Sequence, residues 1–428
     1  MIRIRLTAWF ALGVALPALP AAPALVWEAP REIAAGRGEK GAWRQNDSRY
    51  DYVDDATVAL APDGEQYLAW VEQGSKDVWL RTAMGGRLSA PVNVSRSPAT
   101  FSWLPRIAVD PGQPRRICLL WQEIVFSGGS HGGDILFARS DDGGRTFSAP
   151  LNLSRSRGGD GKGRLDRATW SNGSLDIAIG AGGLVLASWT EYEGALWLAR
   201  SLDGGASFSA PQRLAGDGKR PARGPALAIG PDGAVHLAWA VGEDARAAIR
   251  VARSQDKGAS FGAPRLVGGE EGRADAPRLA FDGAGRLHMV YAEHGAASAR
   301  VRHALADDAV RFAPARTLAA PLGAGGAAYP MLAGDGASGL AIVWEILGRD
   351  GRPRSLGISV SRDGGRSFTA PSVVPGSAAP HGGSNGSQQG LLGSKLALGR
   401  DGRIAIVNRS LVPGQGSRIR LIRGHVAR

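Results

Sequence analysis

Several arginines in this chain are placed where a guanidinium could hold an anionic group. Arg106 and Arg278 share one local setting, because each follows Pro and precedes an aliphatic residue and Ala at the start of an apolar run. A guanidinium binds a carboxylate through two parallel hydrogen bonds, which fixes the orientation of the ligand. The arginines in polar stretches that could join them are Arg49, Arg164, Arg167 and Arg223. The alternative is that each of these arginines pairs with a neighbouring acid.

A tyrosine with flanking carboxylates forms a second group. The sequence Trp189-Thr190-Glu191-Tyr192-Glu193 puts a phenol between two glutamates at the end of an apolar run. Glutamate also stands two residues after an aromatic residue elsewhere, at Glu72, Glu123 and Glu293. Such a repeated residue favours a scaffold role. Further carboxylates cluster in one polar loop, at Asp51, Asp54 and Asp55.

The sequence lacks the patterns of several other chemistries. It contains no His-x-x-x-His pair and no cysteine cluster, which would indicate a transition-metal site, and no Walker-type phosphate loop. The single cysteine, Cys118, lies in an apolar run, which favours a buried, inert thiol. We therefore predict neither a metal nor another cofactor.

The N-terminus predicts an exported protein. Residues 1–24 combine Arg3 and Arg5 with an apolar run and a small-x-small site at Ala22-Pro23-Ala24, which is typical of a cleaved signal peptide. The alternative is an uncleaved anchor. We predict a periplasmic or secreted location, one domain over residues 25–428, and no integral membrane segment after cleavage.

The charge of the chain points to an anionic partner that is not a nucleic acid. The net charge is +12, but the arginines are dispersed and form no basic block or helix. Nucleic-acid binding normally uses a clustered basic surface, so we predict no nucleic-acid partner. An anionic ligand or an anionic envelope surface fits this distribution, and so does an alkaline surface without a specific partner.

One short phrase recurs along the chain and marks a repeated unit. Ser140-Asp141-Asp142-Gly143-Gly144-Arg145-Thr146-Phe147 returns at 201–208 and 361–368 and, more loosely, at 254–261. The Asp can accept hydrogen bonds from backbone N–H groups two or three residues on, and a glycine can take the left-handed conformation of a tight turn. The Phe would then enter the next strand as a buried anchor. The phrase predicts one hairpin turn in each unit of a repeat protein.

Each unit holds four strand-like runs. In the second unit these are residues 105–109, 116–121, 135–139 and 147–153. Units recur at intervals of 50 to 61 residues, measured between the prolines Pro91, Pro150, Pro211, Pro264, Pro314 and Pro371. Four antiparallel strands at this period are typical of β-propeller blades.

The two ends of the chain complement each other. The last unit has only three strand-like runs, and an orphan run around Pro30 could supply the fourth. We therefore predict an all-β propeller of four-stranded antiparallel blades, closed by the N-terminal strand joining the C-terminal blade. Seven blades are expected, with six as the alternative.

The Ser-x-Asp-x-Gly-x-Ser/Thr-Phe phrase resembles the Asp-box, or bacterial neuraminidase repeat, of the sialidase superfamily. The resemblance covers the chain after the predicted signal. It implies a propeller whose Asp-box turns join third and fourth strands on the face opposite the active site. The loops expected on the other face are longer and more polar here, as a ligand site would require. Random variation of loop length is the alternative explanation.

The resemblance also implies roles for the residues above. Sialidases bind the substrate carboxylate with three arginines and use a Tyr nucleophile beside a Glu, with an Asp as acid/base. By this resemblance the catalytic residues would be Tyr192, Glu191 and Asp55. The ligand-binding residues would be Arg106, Arg278, Arg167, Arg49 and Trp170. The family's Arg-Ile-Pro phrase is absent, Trp170 could equally cap a blade, and the rival tyrosines are Tyr50, Tyr52 and Tyr329.

Two functions remain open at this point. The first is an exported glycoside hydrolase of the exo-sialidase type, acting on an anionic sugar or glycoconjugate at the mouth opposite the turns. The second is a non-catalytic propeller scaffold that binds a glycan or an envelope protein. The enzyme is favoured if Arg106, Arg278 and a third arginine meet beside a Tyr–Glu pair.

Overall fold

The computed structural model describes residues 25–427 apart from a set of short gaps. These gaps are residues 39–49, 98, 128–129, 157–173, 192–193, 218, 243–246, 270–271, 296–297, 309–310, 319–324, 380–392 and 413–415. Side chains are also not described at 125–127, 130–132 and 307–308. Within the described residues the protein is all-β, and its helical content is a 3-10 turn at Ala181–Gly183. No helix in this part of the chain is long and apolar enough to cross a membrane.

The chain begins with two strands that pair with its last strand. They are β1 (Leu25–Trp27) and β2 (Arg31–Gly36). Sheet I follows and contains β3 (Val53–Leu60), β4 (Gln66–Glu72), β5 (Asp77–Met84), β6 (Arg87–Leu88) and β7 (Val92–Asn93). Sheet II contains β8 (Phe101–Asp110), β9 (Gln113–Ser127), β10 (Ser130–Ser140) and β11 (Leu151–Asn152).

The middle of the chain forms two further four-stranded sheets. Sheet III contains β12 (Leu175–Ile179), β13 (Val185–Thr190), β14 (Leu196–Ser201) and β15 (Gln212–Ala215). Sheet IV contains β16 (Ala222–Ile229), β17 (Val235–Val241), β18 (Ala248–Ser254) and β19 (Arg265–Gly268). Both sheets are antiparallel and follow sequence order.

Sheet V has nine strands in two groups. The first group is β20 (Arg273–Phe281), β21 (Leu287–His294), β22 (Ala299–Asp308), β23 (Arg311–Phe312) and β24 (Arg316–Thr317). The second group is β25 (Gly326–Gly334), β26 (Leu340–Leu347), β27 (Pro353–Ser361) and β28 (Ser372–Val373). A single parallel pair, Ala299 with Gly326, joins the two groups.

The terminal sheet combines both ends of the described chain. Its C-terminal strands are β29 (Leu396–Leu398), β30 (Arg403–Val412) and β31 (Gly416–Val426). Both β1 and β2 pair antiparallel with β31, with Leu25 opposite Val426 and Arg31 opposite Leu421. The N-terminal segment therefore extends the sheet made by the last three strands.

The first strand of each group, called an inner strand from here on, packs against the first strand of the next group. The inner strands are β3, β8, β12, β16, β20, β25 and β29. Each inner strand contacts the next one in this order, and the last, β29, also contacts the first, β3. Such serial packing of antiparallel sheets is a propeller-type arrangement.

The core lies between neighbouring sheets. Tyr67 and Leu80 of sheet I pack with Ile117 and Trp121 of sheet II in one buried cluster, and equivalent clusters join the other sheets. The aromatic residue near the end of the second strand is buried in several groups, at Trp121, Trp189, Trp239 and Trp344. Because each sheet buries apolar side chains on both faces, its strands are rich in Val, Ile, Leu and Ala.

The repeated phrase folds into a hydrogen-bonded turn. Ser140 Oγ donates to Asp142 Oδ1 over 2.7 Å and accepts a bond from Gly144 N over 2.9 Å. Asp142 Oδ1 accepts bonds from Arg145 N and Thr146 N, each 3.0 Å long, so the acceptor reaches three and four residues on rather than two or three. Desolvation by partial burial raises the pKa of Asp142, but the hydrogen bonds from Thr146 and Ser140 outweigh it and lower the pKa to about 2.

The strand after this turn is shorter than the sequence predicts. We expect a strand over 147–153, whereas β11 covers Leu151–Asn152. Pro150 has no N–H to donate, so strand pairing begins only after it. Phe147 precedes the strand and is half-buried against the cluster between sheets I and II. The other strands of this unit extend beyond their predicted ends.

Candidate functional site

Five inner strands contain a bulge near their N-terminal ends. In β3, β8, β16, β20 and β25 the pairing with the second strand skips two residues. These residues lie two to four positions after the first residue of the strand. Each bulge holds a residue with positive φ, and these residues are Asp55, Leu104, Gly224, Ala276 and Tyr329. Four of them are not glycine, and this conformation is uncommon for such residues. Bulges of this kind re-aim side chains and often lie at sites of function.

Hydrogen bonds connect the N-terminal ends of neighbouring inner strands. Asp55 Oδ2 accepts a bond from Leu104 N over 3.1 Å, and Ser174 Oγ accepts one from Gly224 N over 2.7 Å. Arg106 Nε donates to Leu175 O over 3.1 Å. These bonds fix the inner strands relative to one another and therefore fix the side chains that the strands present.

Three charged residues, which we call the inner-strand cluster, lie at one level of the fold. They are Arg106 in β8, Asp176 in β12 and Arg278 in β20, opposite Leu120, Ser188 and Val290 respectively. Each of those partners directly precedes the aromatic residue of the second strand. Three different sheets therefore contribute one charge each to the same level.

The pKa values indicate that these three groups interact. Burial, and then the nearby Arg278 guanidinium, lowers the pKa of Arg106 to about 10, against the opposing effects of Asp176 and Asp55. Burial also lowers the pKa of Arg278, and Asp176 opposes this. Burial raises the pKa of Asp176, with Arg278 the strongest opposing group. The three groups therefore lie within electrostatic range of one another, and Asp55 is a second carboxylate within range of Arg106.

The two arginines differ in access. Arg106 is 1% exposed, and its NH1 donates to Leu104 O and Pro105 O over 3.3 and 3.0 Å in addition to the Nε bond. Arg278 is partly exposed, and its NH1 donates to Pro277 O over 3.1 Å. A ligand would therefore contact Arg278, whereas Arg106 mainly holds inner strands together.

Asp55 lies in a separate acidic pair close to this cluster. Its own N–H donates to Asp54 Oδ1 over 2.8 Å, and Asp54 forms an ion pair with Arg409 of β30. Burial, followed by the charge of Asp54, raises the pKa of Asp55 to about 7, although Arg409, Leu104 N and Arg106 favour the ionised form. A carboxyl group that titrates near neutral pH is suited to general acid–base chemistry.

A third group surrounds Tyr329, one of the rival tyrosines. Arg273 pairs with Asp275 over 3.6 Å, and Glu345 pairs with Lys395. Burial, followed by the charge of Asp275, raises the pKa of Tyr329 to about 12, against the effect of Arg273. A tyrosine, a glutamate and an arginine thus lie within electrostatic range of one another.

The structure brings together part of the predicted site. Arg106 and Arg278 each lie within electrostatic range of Asp176, and Asp55 lies within that range of Arg106. Glu191 follows β13, where its N–H and carbonyl oxygen both join the turn before Ala195. The predicted residues that fall outside the described residues are Tyr192, Arg49, Arg167 and Trp170.

Sequence reasoning missed Asp176 and Arg409 and treated Tyr329 only as a rival. Asp176 is a charged residue inside an apolar inner strand, at the level of Arg106 and Arg278, and that placement could have identified it. Arg409 carries no comparable signal, because its partner Asp54 is 355 residues away along the chain.

Solved structures resemble this chain in fold at low sequence identity. Polysaccharide lyase Uly1 matches with a TM-score of 0.55 and 10% identity, over 94% of this chain and all of that chain (100%). A protein of unknown function from Dyadobacter fermentans matches with a TM-score of 0.53 and 14% identity, over 78% of this chain and 99% of its own. An α-L-arabinanase of Penicillium chrysogenum in complex with arabinobiose matches with a TM-score of 0.51 and 11% identity, over 78% of this chain and 98% of its own.

These likenesses show the propeller-type fold and leave the sialidase superfamily as a prediction. No protein-family model matches the chain, and no curated protein matches it significantly.

Proposed function

We propose that this chain is an exported, sialidase-like Asp-box propeller that binds an anionic sugar or glycoconjugate at the inner-strand cluster. The observation that carries the proposal is that Arg106, Asp176 and Arg278, from three sheets, lie within electrostatic range of one another. A guanidinium held by a fixed backbone is pre-organised to bind a carboxylate.

Seven blades, closed through the terminal sheet, form the architecture of this proposal. The seven inner strands contact one another in order, and β29 contacts β3, which supports a closed ring. The two groups of sheet V count as two blades, since one residue pair joins them. Residues 1–24 would be the signal peptide, 25–428 the propeller, and the location periplasmic or secreted.

The fold of the neighbours supports a sugar as the ligand class. The neighbours reported above include one described as a polysaccharide lyase and one as an arabinanase complexed with arabinobiose. Both descriptions concern those proteins, and we extend only the ligand class to this chain. The anionic character comes from its own arginines.

Hydrolysis would use an acid/base and a nucleophile pair. Asp55, with a pKa of about 7, would be the acid/base, and Tyr192 with Glu191 would form the nucleophile pair of an exo-sialidase-type glycosidase. Tyr329 competes for the nucleophile role, because Asp275, Glu345 and Arg273 surround it. Its raised pKa means that a base would have to activate it.

A non-catalytic scaffold is the second candidate. The observation in its favour is that Arg106, one of the expected carboxylate ligands, is buried and donates to three backbone carbonyl groups. This bonding leaves the described cluster with one accessible arginine rather than three. The scaffold would still bind a glycan through Arg278. Nothing in the described residues favours an envelope protein as its partner.

Binding and turnover should be measured on the same preparation. Calorimetric titration with N-acetylneuraminic acid is expected to show binding that Arg278→Ala weakens by about 30-fold, since truncating one partner of a charge pair costs about 2 kcal/mol or more. Arg362→Ala, an exposed arginine in a repeated turn, is the matched control and is expected to bind like the wild type. Equal binding by all three proteins would refute the proposed site.

Turnover separates the two candidates. With fluorogenic sialosides and other fluorogenic glycosides, an enzyme should release the fluorophore and lose activity in Asp55→Asn. Binding through Arg278 without any turnover would assign the scaffold function.

A further inference from the structure

A cavity of about 320 Å³ lies between the terminal sheet and sheet I. Its walls include Glu32 of β2, Trp70 and Glu72 of β4, and Trp79 and Arg81 of β5. None of these residues belongs to the inner-strand cluster, so this site is separate from the one proposed above. Its volume is in the range of small-ligand pockets.

Two buried donors in the wall of this cavity lack acceptors. Within the described part of the chain, Trp70 Nε1 and Arg81 Nε are buried and have no hydrogen-bond partner. Trp70 is only 3% exposed. The NH1 of Arg81 donates to Ile33 O over 2.9 Å, and this bond joins sheet I to the terminal sheet. Trp239 Nε1 and Trp344 Nε1, which do not line the cavity, are in the same state, so the accessible groups of the wall have to provide the contacts to a ligand.

The indole of Trp79 is held in place by a chain of hydrogen bonds. Trp79 Nε1 donates to Ser75 Oγ over 2.9 Å, and Ser75 Oγ donates to Glu72 Oε2 over 3.1 Å. Trp79 lies directly opposite Trp70 on the neighbouring strand and remains half-buried. A fixed aromatic side chain of this kind offers an apolar face to a ligand at low entropic cost.

The charges around the cavity do not favour an anion. Glu32 and Glu72 contribute two carboxylates, against the one guanidinium of Arg81. Glu32 also pairs with Arg418 over 3.1 Å, so the charges of the two carboxylates and the two guanidinium groups balance. The site therefore combines hydrogen-bond donors, carboxylate acceptors and an indole face without excess positive charge.

We propose that this cavity is a second saccharide-binding site, which takes a neutral sugar. Sugar hydroxyls can donate to Glu72 and Glu32, while the carbon face of the ring packs on Trp79. This site recognises an uncharged sugar unit, in contrast to the anionic ligand of the inner-strand cluster. Its existence does not depend on the function proposed for that cluster.

The test is a calorimetric titration of the full chain with two neutral disaccharides, arabinobiose and cellobiose. At least one should bind, and Trp79→Ala should weaken that binding by about tenfold, the loss expected for one aromatic contact. Trp197→Ala is the matched control, because Trp197 lies opposite Trp189 as Trp79 lies opposite Trp70 and does not line this cavity. Arg278→Ala is expected to leave neutral-sugar binding unchanged.

Several results would overturn the proposal. They are absence of binding by both disaccharides at millimolar concentration, equal weakening by Trp197→Ala, and loss of neutral-sugar binding in Arg278→Ala. If circular dichroism shows that Trp79→Ala is unfolded, Glu72→Gln decides the question, because it retains the shape and removes the acceptor charge. Unchanged binding in Glu72→Gln would then refute the site. Anion binding through Arg278 is measured separately, so either proposal can fail alone.

Discussion

Replacing Asp55 by Asn should make the protein more stable at alkaline pH. In the folded protein Asp55 is 6% exposed and its pKa is raised from 3.8 to about 7. The ionised carboxylate is therefore disfavoured on folding. Asn carries no charge, and its Oδ1 can still accept the hydrogen bond from Leu104 N.

The size and sign of this effect follow from the shift in pKa. A rise of three units corresponds to about 4 kcal/mol in the free energy of unfolding, which is an upper limit. Between about pH 4 and pH 7 the folded protein holds a proton that the unfolded chain releases, so the wild type loses stability as the pH rises. The full cost is present above pH 7 and absent below pH 4. For a chain of roughly 400 residues, 4 kcal/mol corresponds to about 5 °C in melting temperature.

The assay is thermal melting of the wild type and Asp55→Asn at pH 4.5 and pH 8, with the difference between the two proteins as the quantity of interest. This difference cancels the titration of the groups that do not interact with Asp55. The variant should melt higher at pH 8 and close to the wild type at pH 4.5. Asp54→Asn, which leaves the partly buried Arg409 without its carboxylate, should melt lower at both values. An Asp55→Asn variant that melts below the wild type at pH 8, or shows the same shift at both values, would refute the reasoning.

Two further predictions concern the turns and the single cysteine. Gly144→Ala should lower the melting temperature more than Gly85→Ala does. Both glycines have positive φ, but the added Cβ would lie 2.7 Å from Leu80 Cδ2 at Gly144 and would meet nothing within 4 Å at Gly85. Equal shifts in melting temperature would contradict the packing argument. Cys118, whose pKa burial raises to about 12, should react with a thiol reagent only after unfolding, and rapid labelling of the native protein would contradict its burial.

The repeat made the fold predictable. The Ser-x-Asp-x-Gly phrase forms its turn from hydrogen bonds within eight consecutive residues, so the sequence alone contains the whole interaction. The strand ends were less predictable. Whether β9 stops near Trp121 or continues to Ser127 depends on its pairing with β10, and the isolated sequence does not contain that information.

The candidate site was less predictable, because its partners are distant in sequence. Arg106 and Arg278 could be found from their shared position after Pro in an inner strand. Asp176, which interacts electrostatically with both, follows Leu175 and not Pro. The ion pair of Asp54 with Arg409 joins the first and last sheets, so it exists only once the terminal sheet has formed.

The carboxylates of the repeated turns and those of the inner strands differ in their electrostatic surroundings. In the turns, hydrogen bonds satisfy the carboxylates and lower the pKa values of Asp142, Asp203, Asp256 and Asp363, which makes these groups poor proton donors at neutral pH. At the inner strands, burial outweighs the available partners and raises the pKa values of Asp55 and Asp176. Buried charges that have too few partners lower the stability of the fold at its inner strands. Such a loss of stability is typical of binding sites, because a bound ligand supplies the missing interactions.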